Sequence, residues 1–443
     1  MASSPSVVQV QSFLLFSTFV FLSLSSLSSS QPTSFRPKAL VLPITKDAST
    51  LQYLTQIKQR TPLVPIDVVV DLGGQFLWVD CEQGYVSSTY KPARCGSAQC
   101  SLASKSPGCG TCFSPPRPGC NNNTCGLFPG NTITQTSTSG ELASDVLSVQ
   151  STDGSNPGAS VTVKQFIFNC APTSLLDGLA KGVKGMTGFG REKIGLPSQF
   201  SAAFSFPRKF AMCLSSGKGV MFFGDGPYVL QPEKEISSSL QYTPLLINPV
   251  STAGTFSQGE KSVEYFIGVK SIRIDEKEVP MNKNLLSITT DGVGGTKIST
   301  VNPYTVMETS IYKAVVDAFT KAAEARNISR VASVAPFGTC FSRKNVLSTR
   351  LGAAVPTIEL VLQNEKTIWR IFGANSMVQV NDDVLCLGFV DGGANPRTSI
   401  VLGGYQLENN LLQFDIARSR LGFSSLLFGR QTTCSNFDFT TKP

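Results

Sequence analysis

Val69-Val-Asp-Leu-Gly-Gly-Gln-Phe-Leu-Trp-Val79 reads as a strand, a sharp turn and a second strand. Two valines run into Asp71, Gly73-Gly74 let the chain turn, and Phe-Leu-Trp-Val resumes the apolar pattern. Further on comes Met186-Thr-Gly-Phe-Gly190. The second half carries a counterpart. Thr296-Lys-Ile-Ser-Thr-Val-Asn-Pro-Tyr-Thr-Val306 is followed by Ile400-Val-Leu-Gly-Gly404. Asp71 and Gly188 lie 117 positions apart, Ser299 and Gly403 104. Two similar halves imply two lobes related by a pseudo-twofold axis, with a cleft between them.

Bulk properties agree. The 443 residues exceed the size at which one hydrophobic core keeps growing. An apolar share of 41% against 15% charged residues fits a folded, β-rich chain, and 38 Gly with 26 Pro supply its turns. Strand signals fall at 67–70, 76–79, 161–168, 220–223, 265–274 and 357–362. One helix is predicted, from about Ser310 to Arg326, with Ile311, Ala314, Val315 and Ala318 on one face. Gly224-Asp-Gly226 and Gly292-Val-Gly-Gly295 lack the Lys-Ser/Thr of a phosphate loop and read as hairpin turns.

The first 30 residues read as a signal peptide. An apolar run from Phe13 to about Leu24 precedes the small residues Ser25–Ser30, although no basic residue stands before Arg36. Cleavage is expected near Ser30–Gln31, and no other run is long and apolar enough for a membrane span, so no membrane partner is expected. Seven of the 12 cysteines, Cys81, Cys95, Cys100, Cys109, Cys112, Cys120 and Cys125, cluster among Gly, Pro and Asn; Cys170, Cys213, Cys340, Cys386 and Cys434 follow. Cys109-Gly-Thr-Cys112 has the spacing of a zinc knuckle, but the chain has no His, and a secreted chain favours a disulfide framework. Asn122 and Asn327 head glycosylation sequons. The formal charge of +8 is dispersed, which argues against nucleic acid and for cell-wall polysaccharide or an acidic protein surface. Without His there is no Ser-His-Asp or Cys-His pair and no His-bound metal; no cofactor is called for.

These motifs resemble those of the pepsin-like aspartic proteases, in particular their plant branch. That family's first motif is Asp-Thr-Gly-Ser followed by apolar residues. Gly188-Phe-Gly-Arg…Leu-Pro-Ser-Gln-Phe200 and Ile400-Val-Leu-Gly-Gly-Tyr-Gln…Phe414-Asp415…Arg420-Leu-Gly-Phe423 are similar to two further plant signatures. The resemblance implies an all-β, bilobal pepsin-like fold with minor helices, two barrel-like lobes and a central cleft. The lobes would be 31–235, bearing a disulfide-rich insert, and 236–443. Such a fold would pair Cys340 with Cys386.

The family's chemistry needs two carboxyls sharing one proton. Asp71 is kept, but the second position aligns with Ser299. The Thr and Ser flanking the first Asp are Leu72 and Gly73-Gly74 here, and the flap around 132–140 holds no Tyr. The resemblance therefore implies a non-enzyme of the group formed by extracellular dermal glycoprotein, xyloglucan-specific endoglucanase inhibitors, wheat-type xylanase inhibitors and basic 7S globulins. Phe35–Asp47 and Ser333–Gly338 look nearest the first two. The implied role is a secreted, apoplastic 1:1 inhibitor of microbial glycoside hydrolases, family 12 xyloglucan-specific endoglucanases foremost. Storage, peptide binding, xylanase inhibition and residual proteolysis are the alternatives. Family inhibitors present cations from C-lobe loops, which points to Arg430 and Arg350, with Arg397 third. Leu426, Leu427 and Phe428 would form an apolar rim if exposed.

Overall fold

The strand ending on the first motif, Val64–Asp71, is flanked by an antiparallel neighbour, Tyr53–Gln59, and a parallel one, Gly185–Gly188, with Gly188 opposite Asp71. Val68, Val69 and Val70 are all buried, so both faces of this strand are covered, and β-branched residues suit such a pleat. Beyond the turn, Trp78–Asp80 runs antiparallel to Gly185–Gly188 and parallel to the end of Pro157–Ala171. The second half repeats the device. Thr296–Ile298 runs parallel to Ile400–Leu402, and Thr305–Met307 pairs antiparallel with that strand and parallel with Phe389–Asp391. The two motifs are thus one substructure used twice.

This is a computed structural model. It describes Met1 and residues 36–104, 108–254 and 258–440. The signal-peptide assignment, apart from Met1, lies outside the described residues. Six antiparallel strands join the halves. Ala39–Lys46, Lys218–Gly224 and Lys209–Cys213 come from the first, continuing into Leu411–Asp415, Arg420–Phe423 and Gln241–Leu246 of the second. At the seam Phe210 stacks on Phe414 with ring centroids 4.7 Å apart, and Tyr265 leans on Phe414 at the same separation. The architecture is the bilobal pepsin-like one, built mainly of strands.

The long helix spans Thr309–Glu324 and buries Ile311, Val315, Phe319 and Ala323, a four-residue spacing that keeps one face inward. Glu308 caps it, its carboxylate accepting from the Ser310 and Ile311 N–H groups. Two local expectations need correction. Gly224–Gly226 is not a hairpin turn, because both partners of Lys218–Gly224 lie earlier in sequence. The strand expected at 76–79 begins only at Trp78, because the Gly74 and Phe76 carbonyls turn to accept from Gly190 and Gly188. Among the described residues no helix is long and apolar enough to cross a membrane.

All twelve cysteines are paired: Cys81–Cys170, Cys95–Cys109, Cys100–Cys125, Cys112–Cys120, Cys213–Cys434 and Cys340–Cys386. Cys213–Cys434 closes the longest loop, 221 residues, and ties the C-terminal tail to the shared sheet. Replacing both cysteines by alanine is expected to lower unfolding free energy by about 2–5 kcal/mol in guanidinium titration. An unchanged midpoint would show that packing alone holds the tail.

Candidate functional site

A cleft of about 520 Å³ opens over the two motif turns. The turns meet through a side chain. Thr300 Oγ1 donates to the Val70 carbonyl at 2.6 Å and accepts from the Leu72 N–H at 3.0 Å. The first turn returns no such bond, since its equivalent residue, Leu72, is apolar and fully buried. Thr300 was not singled out from sequence; its place beside Ser299, matching Leu72 beside Asp71, was the available signal.

Asp71 is 4% exposed. Its Oδ1 accepts from the Gly73 N–H at 3.0 Å and its Oδ2 from the Thr132 hydroxyl at 2.8 Å. Burial dominates and raises its pKa to about 6; the Thr132 donor pulls down, the Glu264 charge pushes up, and Gly73 N–H and Lys297 pull down. Thr132 belongs to a hairpin formed by Gly130–Asn131 and Thr136–Ser137, whose base is pinned where Trp78 Nε1 donates to the Gly130 carbonyl at 2.9 Å. The hairpin over the cleft thus meets its floor through a threonine.

Ser299 also lines the cleft, but its hydroxyl serves its own turn, donating to Asn302 Oδ1 at 2.8 Å. Nearby, Lys297 Nζ and Glu264 Oε1 form a partly buried ion pair at 2.7 Å. A Cβ on Gly73 would stand 2.9 Å from the Glu264 side chain, so this pair occupies the space where the first turn would otherwise carry a larger residue. Neither Glu264 nor Lys297 was flagged by sequence: Glu264 lies outside both motifs, and Lys297, two residues before Ser299, has no counterpart charge in the first motif. The arrangement offers one buried carboxyl, a hydroxyl committed elsewhere and a neutralised pair.

The arginines lie away from this cleft; none lines it. Arg350 is exposed at the tip of a hairpin, Ser348–Thr349 with Gly352–Ala353. Gly352, at φ +93°, abuts the Ala374 backbone so closely that a Cβ would meet its nitrogen at 2.1 Å, which demands glycine there. Arg430 is partly exposed and ends the short 3-10 turn Leu427–Arg430, held by a Leu427 N–H to Asn409 carbonyl bond of 2.8 Å. The two segments are neighbours: a Cβ at Gly429 would touch Leu351 Cδ2 at 3.8 Å. Arg397 sits on another loop, its carbonyl accepting from Gly294. The apolar rim is corrected. Leu426 and Leu427 are buried, Leu427 among Tyr228, Leu240 and Phe437, and only Phe428 is partly exposed. Both sequon asparagines, Asn122 and Asn327, are exposed.

Comparison with known proteins supplies the family. Residues 53–225 match the model described as xylanase inhibitor N-terminal and residues 264–425 that described as xylanase inhibitor C-terminal. A probable aspartic proteinase GIP2 of Nicotiana benthamiana is 68% identical over 94% of this chain and 96% of its own. Gamma conglutin 1 of Prunus dulcis is 47% identical over 98% and 97%. The crystal structure of edgp superposes with a TM-score of 0.91 at 65% identity, covering 92% of this chain and all of that one (100%). Conglutin gamma from lupine seeds follows at 0.79 and 40%, with 92% and 100% covered.

The raised pKa of Asp71 has a thermodynamic signature. Unfolded, this carboxyl titrates at its ordinary, lower value, so the folded state holds its proton more tightly. That stabilisation is complete below the ordinary carboxylate range and is lost as pH rises through about 6, by up to about 3 kcal/mol. Asp71→Asn removes the titration. Urea unfolding should show the variant gaining on the wild type between about pH 4 and about pH 7; a constant difference would mean Asp71 titrates alike in both states.

Proposed function

The chain belongs to the xylanase inhibitor family, and on that premise we propose that it is a secreted, proteolytically inactive inhibitor of microbial glycoside hydrolases. Its preferred target is a family 12 xyloglucan-specific endoglucanase, bound 1:1 in the plant apoplast. The observation that carries this reading is the adjacency of the Arg350 hairpin and the Arg430 turn through Leu351 and Gly429. A retaining glycosidase holds two carboxyl groups about 5–5.5 Å apart in an open groove. A planar guanidinium, charged at every physiological pH, pairs with such carboxylates bidentately, and a rigid turn presents it at low entropic cost. Two arginines on neighbouring short turns suit that groove.

Loss of proteolysis follows from the cleft chemistry. One carboxyl cannot be base and acid at once, and a serine hydroxyl bound to Asn302 has far too high a pKa to stand in for the other. No pepstatin-sensitive peptide hydrolysis is therefore expected at acid pH. The lobes are taken to meet near residues 235 and 236, and both sequons to carry glycans. A storage or peptide-binding role is the second reading, favoured by 40–42% identity to basic 7S globulins of Glycine max.

Titrating the purified protein into a fungal family 12 xyloglucanase decides between them. Stoichiometric inhibition is expected, weakened about 30-fold or more by Arg430→Ala or Arg350→Ala, with non-additive effects in the double variant because the segments touch. Full affinity in both single variants would remove the arginine mechanism. No inhibition of this enzyme or of a family 11 xylanase would leave the storage reading.

A further inference from the structure

The disulfide-rich insert ends in a small ring that the cleft and the arginines do not use. Cys112-Phe-Ser-Pro-Pro-Arg-Pro-Gly-Cys120 is closed by its own disulfide, with terminal Cα atoms 5.2 Å apart. Residues 113–117 are all exposed, and Phe113 is 99% exposed. A lone exposed apolar side chain is common. This one stands on a segment built to stay still. Pro115, Pro116 and Pro118 fix three φ angles within nine residues. Arg117 and Cys120 exchange two backbone hydrogen bonds, of 3.1 and 2.9 Å.

The ring is also braced from below. Asn121 Nδ2 donates to the Arg117 carbonyl at 2.8 Å and to Glu141 Oε1 at 2.9 Å. Gly119 N–H points to the Tyr90 hydroxyl at 3.1 Å and to Glu141 Oε1 at 3.2 Å. Glu141 lies on the long strand Gly140–Thr152, and Cys95–Cys109 ties down the chain just before the ring. The result is a fully exposed aromatic residue, followed by a small one, on a loop closed by a disulfide and held by hydrogen bonds.

We propose that this ring is a second inhibitory site, directed at serine endopeptidases whose specificity pocket takes a large aromatic side chain. Phe113 enters that pocket and the Phe113–Ser114 bond lies over the enzyme's nucleophile. The pocket desolvates a side chain that is otherwise wholly in water, and the ring loses little freedom on binding. When the bond reacts, the enzyme's serine oxygen joins the Phe113 carbonyl carbon as the bond to Ser114 nitrogen breaks. That nitrogen receives the hydroxyl proton through the enzyme's histidine. Because Cys112–Cys120 keeps both new ends in one ring, the amine stays beside the acyl carbon, and resealing competes with hydrolysis. Recognition as an extended proline-rich ligand fits less well, since the hydrogen-bonded reversal at Arg117–Cys120 breaks the run.

The test uses the full-length protein, with chymotrypsin as probe and trypsin as control. Residual hydrolysis of a small chromogenic substrate and the intact mass of the protein are followed together. Chymotrypsin should be inhibited and trypsin not, with the chain largely intact. Phe113→Ala should weaken inhibition by at least about 30-fold, and Phe113→Arg should transfer it to trypsin, both with an unchanged unfolding midpoint. Free chymotrypsin activity at excess protein, or cleavage after Phe113 at ordinary substrate rates, would overturn the proposal.

Discussion

The Thr300 hydroxyl, shared between the Val70 carbonyl and the Leu72 N–H, is the contact on which the cleft depends. Each bond contributes only about 1 kcal/mol net, but leaving either backbone group buried and unpaired costs about 1–3 kcal/mol. That asymmetry keeps the two motif turns in register. Asp71 lies between the two bonded positions, so its orientation follows from theirs. The shared sheet, with Phe210 stacked on Phe414, joins the same halves through non-directional packing. Packing brings the halves together, and Thr300 sets where their turns meet.

Within that frame the cleft holds one buried carboxyl, a serine hydroxyl bound within its own turn and an ion pair. Asp71 sits under a hairpin that donates to it through Thr132, in surroundings that favour its neutral form. Glu264 and Lys297 neutralise each other where a first-turn side chain would otherwise extend. A carboxyl of this kind keeps its proton up to about pH 6. The polar members of the site are bonded to one another or to their own turns.

The surfaces proposed for partners are small, braced turns. The Arg350 hairpin needs Gly352 against Ala374, the Arg430 turn rests on buried Leu427, and the ring at 112–120 is tied by a disulfide and by Asn121. In each, the groups that reach outward are few and those that hold them are many. Association then orders little that is not already ordered, which lowers its entropic cost.

The sequence by itself carried the duplicated strand–turn–strand with its later glycine strand, the main helix and the even set of cysteines. These depend on local periodicity and on residues that only certain backbones accept, such as Gly188 packed against Gly74 and Phe76. Strand limits were less legible: the strand expected from Phe76 starts at Trp78 because of carbonyls turned toward residues more than a hundred positions away. Burial of Leu426 and Leu427 was likewise hidden, since an apolar run near the end of a chain reads the same whether a sheet covers it or water does. Tertiary structure alone decided that Thr132 would meet Asp71, that Glu264 and Lys297 would pair at the cleft, that the two arginine segments would touch, and that Cys213 would join Cys434. Each of these is a contact between residues far apart in the chain, and such contacts are set by where packing brings the chain back on itself.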